Sequence, residues 1–207
     1  MKPYVVTIAR ENGSGGRAIG HALARKLGVE CYNRQLLRLA SDESGINEQL
    51  FAQADEQFKK TLLFKVARDA YKGEVIPPDS DNFTSNENLF RYQARVIRQL
   101  AEAGSCVVIG RCADYVLQDY PYLLRIFIHA PEEARVKALA FRHHVGEDEA
   151  ARIMEQVDKR RAAYYKAVTG RNWRDAANYD LSLDSDKLGQ EGCIDRICAY
   201  LKVLDTL

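Results

Sequence analysis

The segment from Ala9 to Gly28, ARENGSGGRAIGHALARKLG, sets a glycine-rich turn between an apolar run and a helical pattern. Gly13, Ser14, Gly15 and Gly16 supply the turn, and Arg10 and Arg17 stand at its two shoulders. Unpaired amides at such a turn converge with the positive end of the following helix, an arrangement that holds phosphate. Measured against GxxxxGK[ST], Arg10 replaces the first glycine, Gly16 the lysine and Arg17 the hydroxyl residue. The turn alone therefore fits either an anion site or a ligand-free connection. Arg17 favours the anion, because a cation in the first helical turn opposes the dipole unless an anion compensates it. Arg10 and Arg17 would then supply the charge that a lysine normally brings, with a planar fork in place of a point charge.

A second concentration of charge runs from Asp158 to Arg174, where Lys159, Arg160, Arg161, Lys166, Arg171 and Arg174 face the single acid Asp158. Read in isolation, such a run is more often a solvated helix face, but its place between the fourth and fifth strands, at the ligand-facing edge, favours a phosphate clamp. Arg111 directly follows the apolar run CVVIG, so its guanidinium should emerge at the carboxyl end of a buried strand. Asp114, about one helical turn on, fits two roles: orienting Arg111 or contacting a base, and serving as a dipole-favoured acid at a helix start. Trp173, Tyr164 and Tyr165 lie near the basic run and read as packing more than as a stacking platform. His143 and His144 have Glu147 and Asp148 close by, but nothing completes a metal set, so a solvated surface is expected there.

The elements that must position these residues are mostly readable. YVVTIA (4–9) and CVVIG (106–110) show little alternation, as strands covered on both faces do. LLRIFIHA (123–130), YDLSLD (179–184) and the weaker VECYN (29–33) complete five strands. Helical stripes fall between them: Ile19, Ala22, Leu23 and Leu27; then Leu89, Tyr92, Val96, Ile97 and Leu100; and finally Ile194, Ile197, Cys198 and Leu201. Thr84 and Glu87 read as a capping box for the second stripe, Gly104 as its stop, and Pro131 as the opening of a further helix. Alternating strands and helices predict an α/β fold with a doubly wound, mainly parallel sheet. Residues 35 to 83 break the alternation and read as a helical insertion tipped by a proline-containing loop.

The 207 residues, 46% of them apolar, are enough for one compact domain. A net charge of +1 gives no global field that favours nucleic acid or an anionic bilayer, so anion recognition must be local. The opening apolar run is too short for a signal or membrane segment, and the five cysteines show no CxxC pair. Reduced thiols and a cytoplasmic protein are expected, with neither a nucleic-acid nor a membrane partner.

Taken together, these segments resemble the cytidylate kinase-like family, a branch of the P-loop nucleoside monophosphate kinases. The resemblance rests on RENGSGGRAIG, on GHALARKLGVECYNRQLL, on VVIGRCADYVL, on LLRIFIHAPEEAR and, most specifically, on DKRRAAYYKAVTGRNWRDAANYDLSLDS. It spans nearly the whole chain and is weakest from about 41 to 82. It implies a five-stranded parallel core over residues 1–207, with a helical monophosphate-binding insertion at 35–83 and a lid at 142–176. It also implies transfer of the terminal phosphoryl group of ATP to a nucleotide such as CMP, a reaction that depends on alignment and charge neutralisation.

By that resemblance Arg10, Gly13, Ser14, Gly15, Gly16 and Arg17 would hold the ATP phosphates. Arg17, Arg160 and Arg161 would act on the transferring group, with Arg171 and Arg174 as further lid arginines. Arg34, Arg38, Arg111 and Asp114 would face the acceptor. No Asp or Glu declares itself a holder of Mg2+, so the ion is expected to be carried by the nucleotide phosphates and water. Three functions remain open: a pyrimidine nucleotide kinase, a nucleotide-binding regulatory module that has lost efficient transfer, and a small-molecule kinase of the same fold.

Overall fold

The computed structural model describes residues 2–56 and 75–205. Five strands, β1 (Val5–Arg10), β2 (Glu30–Tyr32), β3 (Cys106–Ile109), β4 (Leu123–His129) and β5 (Leu181–Asp184), form one parallel sheet in the order β2-β3-β1-β4-β5. β1 is central, with Val5 in register with Cys106 on one side and Leu123 on the other.

The weak alternation of the strands has a direct cause. Val6 and Ile8 enter a core with Ile19 and Leu23 of α1 (Gly16–Leu27) and with Ile194 and Ile197 of α8 (Ser185–Leu204). Val5 and Ala9 enter a second core on the opposite face, with Leu89, Val96 and Ile97 of α4 (Asn86–Ala103) and with α5 (Ala113–Val116). Both sheet faces are covered, so each is apolar; a fully buried Val or Ile stabilises the fold by about 1.5–3 kcal/mol. The second core also takes in Leu36 and Leu37 of α2 (Gln35–Ser44) and Phe51 of α3 (Glu48–Glu56). The remainder of the predicted insertion, 57–74, lies outside the described residues.

Two further helices, α6 (Glu132–His143) and α7 (Glu147–Thr169), form a hairpin over the carboxyl end of the sheet with a small core of its own, built from Val136, Leu139, Ala150 and Met154. Farther along α7, Tyr165 and Val168 join the main core. One helix therefore bridges two packing units.

Two helix starts differ from the sequence reading. α4 is capped by Ser85, whose hydroxyl accepts from the Asn88 amide, one residue later than the Thr84 and Glu87 box. Pro131 stands outside α6 at its cap, and its carbonyl accepts from the Arg135 amide. The five cysteines are free thiols. Among the described residues no helix is long and apolar enough to cross a membrane.

Candidate active site

The glycine-rich turn joins the end of β1 to α1, with Gly15 as a left-handed cap and Gly16 as the first helical residue. The amide of Ile19 makes the first bond back into the helix, to the Gly15 carbonyl at 3.0 Å. The amides of Gly15, Gly16 and Arg17 thus precede the helical ladder and point out of its positive end. Ser14 serves the loop itself. Its buried hydroxyl donates to the Glu11 carbonyl at 2.9 Å, and its own carbonyl lies 2.7 Å from the Ser185 hydroxyl.

The missing lysine has a steric explanation. A Cβ on Gly16 would stand 2.5 Å from the Cβ of Arg10, and a Cβ on Gly110, which has a φ of +77°, would meet the Arg10 Nη1. The Arg10 side chain therefore passes over Gly16 and ends against Gly110 at the top of β3, using the space that side chains at both positions would fill. Among the described residues none accepts a hydrogen bond from its guanidinium. Burial, followed by Arg161 and Arg111, pushes Arg10 down to about 9, and Asp158 offsets only part of this. A cation in this position calls for an anion.

Arg10 shares a cleft of about 390 Å3 with Arg34, Arg111, Arg160 and Arg161, lined further by Asn12, Asn33, His143 and Tyr164. Arg111 reaches it from a strained backbone, since Gly110, Arg111 and Cys112 all have positive φ. Such strain persists only where surrounding structure imposes it, and it clusters at functional sites. Burial lowers the pKa of both Arg111 and Arg161; Arg34 adds to the effect on Arg111, and Asp158 opposes it at Arg161. On the other side of the turn, Gly13, Ser14 and Gly15 line a separate cavity of about 250 Å3 with Ala134, Arg142 and Asp186.

Several proposed residues lie elsewhere. Arg17 is exposed on the first turn of α1. Arg38 is exposed, one turn beyond Arg34, and faces Asp42 instead of lining the cleft. Arg171 donates to Gln118 at 3.2 Å and lies over the Tyr115 ring, away from the cleft. Asp114 is buried in a small void beneath Arg10, Arg111 and Arg161, and accepts from the Tyr165 hydroxyl at 2.7 Å. Burial raises its pKa, and the Tyr165 bond only partly counters this. Trp173 and Tyr165 are core residues. His143, read from the sequence as solvated surface, is exposed but borders the cleft, because the hairpin folds α6 back over it.

Sequence reasoning missed the groups that hold the loop. Glu11 and Asp158 are buried, as is Arg135, which pairs with Asp158 at 2.6 Å and lies 3.4 Å from Glu11. Arg174 reaches the same pair of acids, at 2.9 Å from Glu11 and 3.6 Å from Asp158. One signal was present: Ala150, Met154 and Asp158 recur at helical spacing on the buried face of α7, so an acid occupies an apolar stripe. Because both carboxylates are engaged by arginines, they do not fit a protein-held Mg2+ site, and among the described residues no other acidic or histidine cluster does.

A parallel α/β sheet with a glycine-rich turn on its central strand and a row of arginines at the carboxyl edge is a fold of the P-loop type. The model of the cytidylate kinase-like family matches residues 5–187, and the chain belongs to that family. The cytidylate kinase of Methanopyrus kandleri is 27% identical over 196 residues, covering 90% of this chain and 87% of that protein. Among solved structures, an uncharacterized protein from Eubacterium ventriosum aligns with a TM-score of 0.70 at 24% identity, covering 96% of this chain and 98% of that one. A shikimate kinase from Bacteroides thetaiotaomicron aligns with a TM-score of 0.50 at 14% identity over 96% of this chain and 98% of its own, a likeness of fold.

Proposed function

We propose that the protein transfers the terminal phosphoryl group of magnesium ATP to the phosphate of a pyrimidine nucleoside monophosphate of the CMP type. One observation carries the reading: five arginines and no carboxylate line the acceptor cleft. An acceptor phosphate is largely deprotonated at neutral pH, its second pKa being about 6, so it needs cations and no base. A hydroxyl acceptor loses a proton on transfer and is served by a carboxylate or equivalent base at hydrogen-bond reach.

In this reading the triphosphate lies on the amides of Gly15, Gly16 and Arg17, with its remainder in the cavity beside Ala134 and Arg142. Arg34 and Arg111 hold the acceptor phosphate, and Arg10, Arg160 and Arg161 face the transferring group. An acceptor oxygen attacks the terminal phosphorus, the bond to the bridging oxygen breaks, and ADP leaves with the electron pair. No proton needs to move. Arg10 takes the part of the absent lysine, and the protein's contribution is alignment and neutralisation in a partly dry cleft.

The competing reading, a regulatory nucleotide binder, draws on Gly16 and Arg17 in place of the lysine and hydroxyl residues. The test is incubation with magnesium ATP, a panel of nucleoside monophosphates and a set of hydroxyl acceptors, following ADP. CMP-dependent release of ADP is expected. Tight ATP binding without turnover supports the regulatory reading, and turnover confined to hydroxyl acceptors supports a small-molecule kinase.

A further inference from the structure

Asp158 joins three segments that lie far apart in the chain. Its Oδ1 accepts from the Asn12 amide at 2.7 Å, fixing the shoulder of the phosphate loop. Its Oδ2 accepts from Arg135 Nη1 on α6 at 2.6 Å. Arg135 is itself held to the Ala130 carbonyl at 3.1 Å through Nε and to the Asn12 carbonyl at 3.3 Å through Nη1. One turn along α7, Arg161 Nη1 lies 3.7 Å from Asp158 Oδ1 and donates to the Arg10 carbonyl at 2.9 Å. The carboxylate thus bonds the loop directly and lies beside the cleft arginine.

Its place on α7 is also informative. Met154, one turn before, belongs to the small hairpin core, and Tyr165, two turns after, belongs to the main core. Asp158 stands where the two packing units meet, at the point that determines how the hairpin sits over the loop. A buried ion pair is a weak source of stability, because desolvation offsets most of the attraction. An apolar residue would continue the Ala150 and Met154 stripe more favourably. What the carboxylate adds is a charge beside Arg161, whose Nη1 is held by the Arg10 carbonyl and whose side chain lines the cleft.

We propose that Asp158, paired with Arg135, is a positioning residue for phosphoryl transfer, acting through Arg161 and the Asn12 shoulder of the loop. The proposal rests on the kinase reading above. It places Asp158 outside contact with either substrate, so its loss should appear in the transferring step more than in substrate capture.

The experiment is a double-mutant cycle on Asp158→Asn and Arg161→Ala, with circular dichroism and thermal melts on each protein. Asp158→Asn should lower kcat about a hundredfold, the scale of misplacing a group by about 1 Å, while KM for ATP and for the acceptor change by far less. The double variant should be slower than Arg161→Ala alone by far less than a hundredfold, because only the loop contact remains to be lost once the guided arginine is gone. Independent, multiplying effects on kcat overturn the proposal, as does a rise in KM with kcat unchanged. If Asp158→Asn does not fold, Arg135→Lys takes its place in the cycle with the same two outcomes. If the wild-type protein turns over no acceptor, the kinase reading fails by itself. The positioning role is then read in amide hydrogen exchange at residues 10–17, which should speed up in Asp158→Asn relative to wild type, and unchanged exchange overturns it.

Discussion

Replacing Arg10 with methionine separates the cost of the site from its use. The fall from the ordinary guanidinium value to about 9 corresponds to several kcal/mol of penalty on the charged form. Water entering the cleft relieves part of that, so methionine, which keeps an unbranched stem over Gly16, should recover about 2 kcal/mol. For a chain of this size such a gain raises the melting temperature by about 4–8 °C. The sign holds across the working range: below about pH 9 folded and unfolded chains both carry the proton and the penalty is constant. Between about 9 and the ordinary guanidinium value the unfolded chain binds more protons, so stability rises with pH there. The same change removes the cation from the bound anion and should weaken ATP about 10–100-fold, as loss of a charge-assisted contact does. Differential scanning fluorimetry on the apo protein, with calorimetric titration of magnesium ATP, reads both effects. A lower apo melting temperature, or unchanged ATP affinity, would refute the assignment of Arg10 as the substitute cation.

The steric contact at the turn predicts that Gly16→Lys alone abolishes turnover, because its Cβ meets the Arg10 stem; Gly16→Lys combined with Arg10→Gly should recover measurable ADP release in the coupled assay. Asp114 has a raised pKa, so its charged form is disfavoured on folding and stability is lost as pH rises from 3.8 through the raised value. Asp114→Asn, which can still accept from Tyr165, should therefore stabilise by about 1 kcal/mol at pH 7, with the gain fading in melts taken toward pH 4. Arg38→Ala and Arg171→Ala remove groups placed outside the cleft and should leave kcat/KM within about twofold, whereas Arg111→Ala should raise the acceptor KM at least tenfold through loss of a charged contact. Equal effects from all three would show that the cleft does not select among the arginines.

The sheet was readable because central parallel strands bury both faces, and so Val5 to Ala9 shows a continuous apolar run. The turn was readable because Gly13 to Gly16 sit between a strand signal and a helix signal. Which arginines meet was not readable. Arg34 and Arg38 are one turn apart on the same segment, yet only Arg34 borders the cleft, while Arg171 turns to Tyr115. Those outcomes depend on how α2 and the loop after α7 dock, and no local spacing encodes that. The Asn12 to Asp158 bond spans 146 residues, and the Arg135 bond to Asn12 spans 123. Glu11, Arg135 and Asp158 look unremarkable in their own neighbourhoods, and only the oddity of an acid on the stripe of Ala150 and Met154 hinted at burial. Thr84 and Ser85 both precede α4, and the hydroxyl that accepts from a helix amide is that of Ser85, from Asn88, whose side chain also holds the carbonyls of Ile76 and Phe83.

Read position by position, the loop looks like a series of losses: Arg10 for a glycine, Gly16 for a lysine. In three dimensions they are a single exchange. A long side chain at position 16 excludes the Arg10 stem, and a side chain on Gly110 excludes its tip, so the arginine requires both glycines and the glycines make sense only with the arginine. The exchange also changes what the cation can do. A lysine at the helix start would present a point charge to the phosphates from the helix side. Arg10 instead enters from the end of β1 and lies against the top of β3, between the loop amides and Arg111. On the proposed reading its planar fork would serve the transferring group and the acceptor together. On the proposed kinase reading, the missing lysine is therefore weak grounds for an inactive enzyme, because Arg10 would bring a cation to the same turn.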